Sequence, residues 1–445
     1  MASTFLTRTP SSAGNRKTFT ISAWVKRGTI SSANSQIIST GVYSSSQLFQ
    51  TFFESDDTLY ISDYTSGGSK SFQLSTNRKL RDINCWYHIL FAVDTTQGTA
   101  SNRVKVYING VQETSFSEAT YPSQNFDTAF NLNQLHTIAN RNGTNFEFGG
   151  SMSYLASVDG TAELPTIFGE TDTTTGQWKI KTSITPSVAW GTNGFLILKD
   201  GNSLTDESTN SNNWSLGGGT LTNTLDCPSN VFTTLNVLER LGSSITVSNG
   251  NTQFFNQASD WRTIISNLAF PNTGKFYAEM QVNEVSSAVQ VGIMAQSSFT
   301  SHFQADLGTQ GQYNSYAYLN TGQKRTNSST TSYGDSFAGG IIGIAVDMDN
   351  KNIYFAKDGV WQNSGNPESG ATGTGAAFTD LQNDKSYCFA VASQGSNPKV
   401  SWNFGNGTFG TTAVTSAGTA GSTPGTFEYN VPSGYEPLTT KGLNA

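Results

Sequence analysis

The residues of this chain best suited to chemistry are aromatic rings and amides crowded into one short stretch. Gln310 to Arg325 reads QGQYNSYAYLNTGQKR and sets Tyr313, Asn314, Tyr316, Tyr318 and Gln323 within a few positions of one another. A tyrosine face stacks on the apolar face of a sugar ring, and side-chain amides donate to and accept from hydroxyls. That chemistry is recognition, not bond making. The alternation of Tyr316 and Tyr318 is equally that of an ordinary strand sending tyrosines into a core.

Motifs for bond making fail when tested in turn. The histidines, His88, His136 and His302, lie far apart and none belongs to an H-E-x-x-H pair, so a zinc site is not expected. There is no G-x-S-x-G elbow and no G-x-x-x-x-G-K-[ST] loop, which leaves a nucleophile-driven hydrolase or an NTPase without a motif. Cys85, Cys227 and Cys388 are three in number and show no C-x-x-C spacing, so a disulfide framework is not expected either. The expectation is no catalytic residue, no metal and no cofactor.

The elements that must position any site announce themselves twice. His88 to Gln112 (HILFAVDTTQGTASNRVKVYINGVQ) and Gly339 to Gln362 (GGIIGIAVDMDNKNIYFAKDGVWQ) share one grammar: an apolar strand ending Ala-Val-Asp, a polar turn, an alternating strand, then Asn-Gly or Asp-Gly before Val. Val104, Val106 and Ile108 alternate with Lys105 and Tyr107, which gives that strand one core-facing side. Asn109-Gly110 and Asp358-Gly359 tolerate the positive φ that a type I′ hairpin demands. Two related domains of similar topology are predicted, with these hairpins at equivalent places.

With 44 Gly, 28 Phe, 16 Tyr and 8 Trp but only 13% charged residues, the composition is one of strands, turns and aromatic cores, and the class is all-β. A length of 445 residues allows two or three domains. The best short helical candidate is Phe232 to Leu241. A net charge of −7, with scattered Lys and Arg, argues against nucleic acid. No apolar run is long enough for membrane insertion, and the start MASTFLTRTPSSAGNRK lacks a signal-peptide core, so synthesis and folding in a cytosol are expected.

At the duplicated stretches the chain resembles known families. The second copy resembles a SPRY domain, through Ile-Gly-Ile-Ala-Val-Asp-Met-Asp and Lys-Asp-Gly-Val, upstream through Gly274 to Met280 and Val291 to Met294, and downstream through Tyr387 to Ala392 and Val400 to Gly405. The first is similar to laminin-G-like, concanavalin A-like sandwiches, through Phe19 to Arg27, Cys85 to His88 and Phe148 to Ala162. Both resemblances imply jelly-roll β-sandwiches. A third lies in Pro165 to Trp178, Gly191 to Leu196, Asn213-Trp214 and Asp226 to Leu238, with the closing Val431 to Leu438, all of which resemble tail and virion proteins of bacteriophages, marine ones especially.

These resemblances give two jelly-roll sandwiches joined by a packed connector: residues 1–164 laminin-G-like, 165–230 connector, 231–445 SPRY-like. A Gly, Ser and Thr-rich insertion at 405–425 reads as an exposed loop. SPRY domains commonly bind ligands with loops at one end of the sandwich, which implies that Trp261 and Trp361 join the tyrosine stretch as ligand-binding residues, although Trp261 also suits a core. Concanavalin A-like folds also host glucanases that set carboxylates along one strand, and the nearest match is Glu54-Ser55-Asp56-Asp57. Glu54 and Asp56 would share a face, but a third carboxylate is absent and Ser-Asp-Asp reads as a turn between FQTFF and TLYIS. Some of these sandwiches bind calcium, with Asp56, Asp57, Asp94, Asp347 and Asp349 as the candidates here, yet such sites need about six to eight oxygens from several loops.

The function expected is a non-enzymatic virion structural or adhesion protein, a tail or fibre component that binds a host surface glycan or receptor. The alternative is a purely architectural head-decorating or tail-attached subunit, and a polysaccharide-degrading hydrolase ranks below both. Other virion proteins, the host surface and further copies of the chain are the expected partners, with a trimer favoured by analogy with phage fibres.

Overall fold

The computed structural model describes residues 4–444 apart from 32–33, 44, 144, 200, 202, 240–243, 286, 299–305, 310, 396, 417 and 420–423. His302 and Gln310 therefore lie outside the described residues. The chain divides into two compact units, Met1–Leu221 and Thr222–Ala445, each an all-β sandwich of the jelly-roll kind.

In the first unit the strands follow as β1 Phe5–Arg8, β2 Thr18–Arg27, β3 Ser35–Thr40, β4 Leu48–Phe53, β5 Thr58–Tyr64, β6 Lys70–Lys79, β7 Tyr87–Asp94 and β8 Val104–Ile108. They continue as β9 Val111–Glu113, β10 Phe116–Thr120, β11 His136–Ile138, β12 Gly150–Asp159, β13 Gly169–Thr171, β14 Trp178–Ile180, β15 Phe195–Ile197 and β16 Ser215–Gly218. One sheet has the order β10-β6-β5-β4-β3-β11-β1-β16, and the sheet facing it β15-β12-β2-β7-β8-β9. Between them lie Phe19, Ile21, Phe49, Phe53, Ile61, Phe91 and Val106, all buried, as the period-two pattern requires.

The second unit contains β17 Ile245–Ser248, β18 Gln253–Asn256, β19 Arg262–Ile265, β20 Lys275–Glu284, β21 Ala288–Ala295, β22 Ser315–Leu319 and β23 Gln323–Thr326. It goes on with β24 Ser329–Ser332, β25 Gly340–Asp347, β26 Asn352–Lys357, β27 Val360–Trp361, β28 Tyr387–Gln394 and β29 Lys399–Asn403. The sheet orders are β17-β18-β29-β20-β25-β26-β27 and β19-β28-β21-β22-β23-β24.

The topologies coincide. The run β12-β2-β7-β8-β9 matches β29-β20-β25-β26-β27, and β1-β11-β3-β4-β5-β6 matches β19-β28-β21-β22-β23-β24. The duplicated stretches are β7-β8 and β25-β26, with Val93 opposite Val104 in one and Val346 opposite Ile353 in the other. Both hairpin tips have the positive φ expected: 49° and 79° at Asn109 and Gly110, and the same two values at Asp358 and Gly359.

Three expectations need adjustment. Of the stretch read as a connector, residues up to 221 belong to the first unit and those from 222 to the second. Phe168 and Trp190 pack with Leu90, Ala92 and Tyr107 on the outer face of the β2-β7-β8 sheet, because that face is itself apolar. The 405–425 insertion is not all exposed loop: Gly405 and Asn406, then Thr408 to Gly410, are buried, and Asn403 Oδ1 accepts from Gly405 N and Gly407 N. Of the helical candidate Phe232 to Leu241, only Val237–Glu239 is helical, as one 3₁₀ turn, and residues 240–241 lie outside the described set.

Each hairpin glycine lies beneath an aromatic ring. A Cβ at Gly110 would come 2.5 Å from the Trp178 ring, and one at Gly359 2.6 Å from the Tyr429 ring. Alanine at either site therefore meets both a left-handed backbone, at about 1–2 kcal/mol, and a ring that has to move. Gly110→Ala and Gly359→Ala are each expected to lower unfolding free energy by at least that amount in urea titrations. Midpoints equal to the parent's would contradict the covered-hairpin geometry.

Candidate functional site

The outer face of the β3-β4-β5-β6 sheet holds the groove of interest. In β4, Phe49 and Phe53 face the core, which turns Gln50 and Phe52 outward; in β5, Leu59 and Ile61 face the core, which turns Tyr60, Ser62 and Tyr64 outward. Register pairs Phe52 with Tyr60 and Gln50 with Ser62. The rings of Phe52 and Tyr60 lie 4.3 Å apart, and Tyr43 stands edge-on to Tyr64 at 5.4 Å. Asn34, Glu54, Arg141 and Phe146 complete a groove of about 300 Å³.

Hydrogen bonds fix its floor. The Tyr60 hydroxyl donates to Gln73 Oε1 at 3.0 Å and lies 3.0 Å from the Tyr64 hydroxyl. Gln73 Nε2 in turn donates to Glu118 at 2.7 Å, and Gln50 Nε2 to Ser62 Oγ at 3.3 Å. Burial raises the Tyr60 phenol well above its usual range, so it is neutral at any physiological pH.

Arg141 reaches the groove through a turn after β11. Arg141 pairs with Asn145 across Asn142 and Gly143, whose φ values are +56° and +73°. This turn sets the guanidinium 3.8 Å from the centroid of the Phe146 ring, itself 5.7 Å from Phe52. Tyr43 is half exposed and Tyr64, Phe146 and Arg141 are partly so, while Gln50, Phe52 and Tyr60 are buried beneath them, so the accessible ring surface is at the rim of the groove. Such a surface can stack on sugar rings and hydrogen-bond their hydroxyls.

The acidic stretch beside the groove is divided by its turn. Ser55 to Asp57 link β4 to β5, as the sequence predicts. Glu54 lines the groove and accepts from Thr58 Oγ1 at 3.0 Å, whereas Asp56 accepts from the same hydroxyl at 2.7 Å and pairs with Lys79. Asp57 is fully buried and pairs with Arg27 at 3.0 Å and Arg81 at 2.7 Å. Among the described residues Glu54 is the one carboxylate lining the groove, and carboxyl-pair glycoside chemistry needs a second about 5–9.5 Å away.

The other aspartates are engaged locally. Asp94 accepts from Thr96 and Gln97 of its own turn, Asp347 from Asn350 while pairing with Lys275, and Asp349 from Gly274 N. No group of three His, Cys, Asp or Glu side chains converges as a metal site would among the described residues. His88 is buried between the rings of Trp24 and Trp178; its Nδ1 accepts from Trp178 Nε1 at 3.1 Å, so Nε2 carries the proton that Ser22 Oγ meets at 2.9 Å. Burial lowers its pKa to about 3, and its role is packing.

The residues proposed from sequence do not come together. Tyr316 and Tyr318 are fully buried between the sheets of the second unit, their hydroxyls donating to the carbonyls of Asp380 and Asp335. This corrects their assignment: strand alternation sends them inward with Ile293 and Phe389. Trp261 is partly buried against the apolar cluster that includes Ile265, Ala390 and Ala392, on the outer face of the β19-β28-β21-β22 sheet. Trp361 lies against Tyr277 and Tyr354 on the outer face of the opposite sheet, so two layers separate the tryptophans. Tyr313 is exposed and Asn314 partly so, and the Tyr313 ring lies 6.3 Å from Tyr316. The groove of the first unit was missed, although Tyr-x-Ser-x-Tyr in β5 and Asn142-Gly143 beside Arg141 are both visible in the sequence.

Residues 4–179 match the family model described as the concanavalin A-like lectin/glucanases superfamily, and residues 273–407 match the SPRY domain model. The chain carries one domain of each kind. The first match runs past residue 164 into the segment that packs on the first unit's outer face. Among solved structures the chain is similar to the SPRY domain of human HERC1, at 18% identity and TM-score 0.30, over 38% of this chain and 96% of that one. It is similar to stonustoxin at 18% identity and TM-score 0.29, over 38% of this chain and 27% of that one, and to the TRIM65 PSpry domain at 12% identity and TM-score 0.29, over 38% and 88%. No curated protein matches the chain. Domains of these two kinds make the protein a carrier of carbohydrate- or protein-binding modules.

Behind the groove, β5 also turns Asp63 into the interior, where its Oδ2 accepts from Ala129 N at 2.6 Å. Burial pushes this carboxyl up to about 7, against an unfolded value of about 3.9. Below about pH 4 both states hold the proton and nothing is lost; as pH rises toward 7 only the unfolded state ionises, so stability falls, by on the order of a few kcal/mol in total. Asp63→Asn keeps an acceptor for Ala129 and removes the titration. The stability of the parent relative to Asp63→Asn is expected to fall between pH 4 and 7 in denaturant titrations, and a constant difference would refute the assignment.

Proposed function

We propose that this protein is a non-enzymatic adhesion protein of a bacteriophage particle, a tail or fibre component that holds a host surface glycan in the groove of its first unit. The groove is the observation that carries the reading: Tyr43, Tyr64 and Phe146 offer ring surface beside the amide of Asn34, over a buried floor of Gln50, Phe52 and Tyr60. The single lining carboxylate supports binding without hydrolysis. Support for the particle is the resemblance of residues 165–178, 191–196, 213–214, 226–238 and 431–438 to phage tail and virion proteins. In that setting the partners are other virion proteins, the host surface and further copies of the chain, with a trimer favoured. Several grooves on one particle multiply weak single-site contacts, by roughly 10² to 10⁴ in avidity.

The test is glycan binding by variants that leave the fold intact. Tyr43 is half exposed and Tyr64 partly so, which makes Tyr43→Ala and Tyr64→Ala suitable. Each is expected to weaken binding to host surface polysaccharide by about 0.5–1.5 kcal/mol, a two- to tenfold rise in Kd, with an unchanged melting temperature. Host polysaccharide is also expected to release no reducing ends on incubation. Full binding in both variants would remove the groove from the function, and a particle protein that binds no glycan would instead be the architectural subunit.

A further inference from the structure

We infer that the groove takes an acidic sugar, with the guanidinium of Arg141 as the seat of its anionic group, a carboxylate or a sulfate ester. The inference rests on the reading of the groove as a glycan site and names the class of glycan. Arg141 is partly buried, with its charge 3.8 Å over the Phe146 ring. Its hydrogen bonds go to neutral oxygens: Nε donates to Asn145 Oδ1 at 3.1 Å, and Nη1 to Gln50 Oε1 at a long 3.5 Å. Nη2 bonds to no described residue.

Charge balance separates Arg141 from Arg27, the fully buried arginine of this unit. Arg27 has Asp57 at 3.0 Å, and Arg81 shares that carboxylate. Arg141 has no carboxylate partner among the described residues, and Glu54, which lines the same groove, accepts from Thr58 instead. Burial lowers the Arg141 pKa from its ordinary value, and the groups facing it are the phenols of Tyr64 and Tyr43. A partly desolvated cation without a counter-charge gains more from an incoming anion than a hydrated surface arginine does. Its planar fork, with one weak bond and one free nitrogen, suits bidentate capture of a carboxylate or sulfate. The protein's net charge of −7 opposes general adsorption of polyanions, so a preference for them has to arise locally.

Matched polymers test this with the full chain: alginate, polygalacturonate and hyaluronan, each beside its carboxyl-reduced neutral form, and dextran sulfate beside dextran. At least one acidic polymer is expected to bind ten times or more tighter than its neutral counterpart, and Arg141→Gln is expected to erase that difference while the melting temperature holds. Arg141→Lys, which keeps the charge and loses the fork, is expected to retain only part of it. Preference for the carboxylated polymers or for dextran sulfate identifies the anion. Equal binding of acidic and neutral forms, or an acid preference that survives Arg141→Gln, overturns the inference; the glycan reading then stands if Tyr43→Ala still weakens binding. Binding to no polymer, before or after reduction, overturns both.

Discussion

A strand has two faces, and in both units the sheet that carries the duplicated hairpin is apolar on each of them. Leu90, Ala92 and Tyr107 in the first unit, and Tyr277, Ala345 and Tyr354 in the second, point away from the sandwich interior and have to be covered. The chain solves this twice with different material. Residues 165–190 lie over the first sheet, locked by the Trp178–His88 hydrogen bond between stacked rings. In the second unit residues 427–435 do so, where Glu279 accepts from Glu428 N, Tyr429 N, Tyr277 Oη and Asn403 Nδ2. Burial pushes that carboxyl up to about 7 even with four donors around it.

With one sheet of each sandwich closed over, the partner sheet's outer face decides what the unit can do, and here the two units part. The first unit turns Gln50, Phe52, Tyr60, Ser62 and Tyr64 outward. At the corresponding place the second unit turns out Ala317 and Leu319, packed with Met294, Leu307 and Trp261 into a further apolar layer. Shared topology fixes which positions look outward, and side-chain chemistry alone makes one surface a groove and the other a packing face.

Local signals made the framework legible. Ala-Val-Asp strands followed by Asn-Gly or Asp-Gly act over a few residues, so the hairpins, the all-β class and the duplication could be read directly. Period two says that Tyr316 and Tyr318 share a face; it does not say which face, and that was settled by pairing with β21 and packing against Phe355 and Tyr387. Trp261 and Trp361 were joined by proximity to a supposed loop end, yet sheet order puts them on opposite sides of a sandwich. The groove draws on positions from Asn34 to Phe146, and Arg141 enters it because β11 pairs with β3 about a hundred residues earlier in the chain. Contacts of that range leave no periodic trace in a single sequence.

The groove floor is built from strand side chains, not from a loop. Gln36, opposite Phe52, uses its Nε2 to hold the carbonyls of Ile38 and Thr51 at the bulge in β3, while Gln50 and Ser62 face each other across β4 and β5. Insertions and deletions, the usual currency by which binding surfaces diversify, are closed to such a floor, because one added residue reverses every side chain beyond it. Variation in what this surface accepts has to proceed by point substitution at outward positions, or through the Tyr43 and Arg141 turns at its rim. A lineage carrying this fold would therefore keep its strand lengths constant while the identities at 43, 50, 52, 60, 64 and 141 drift.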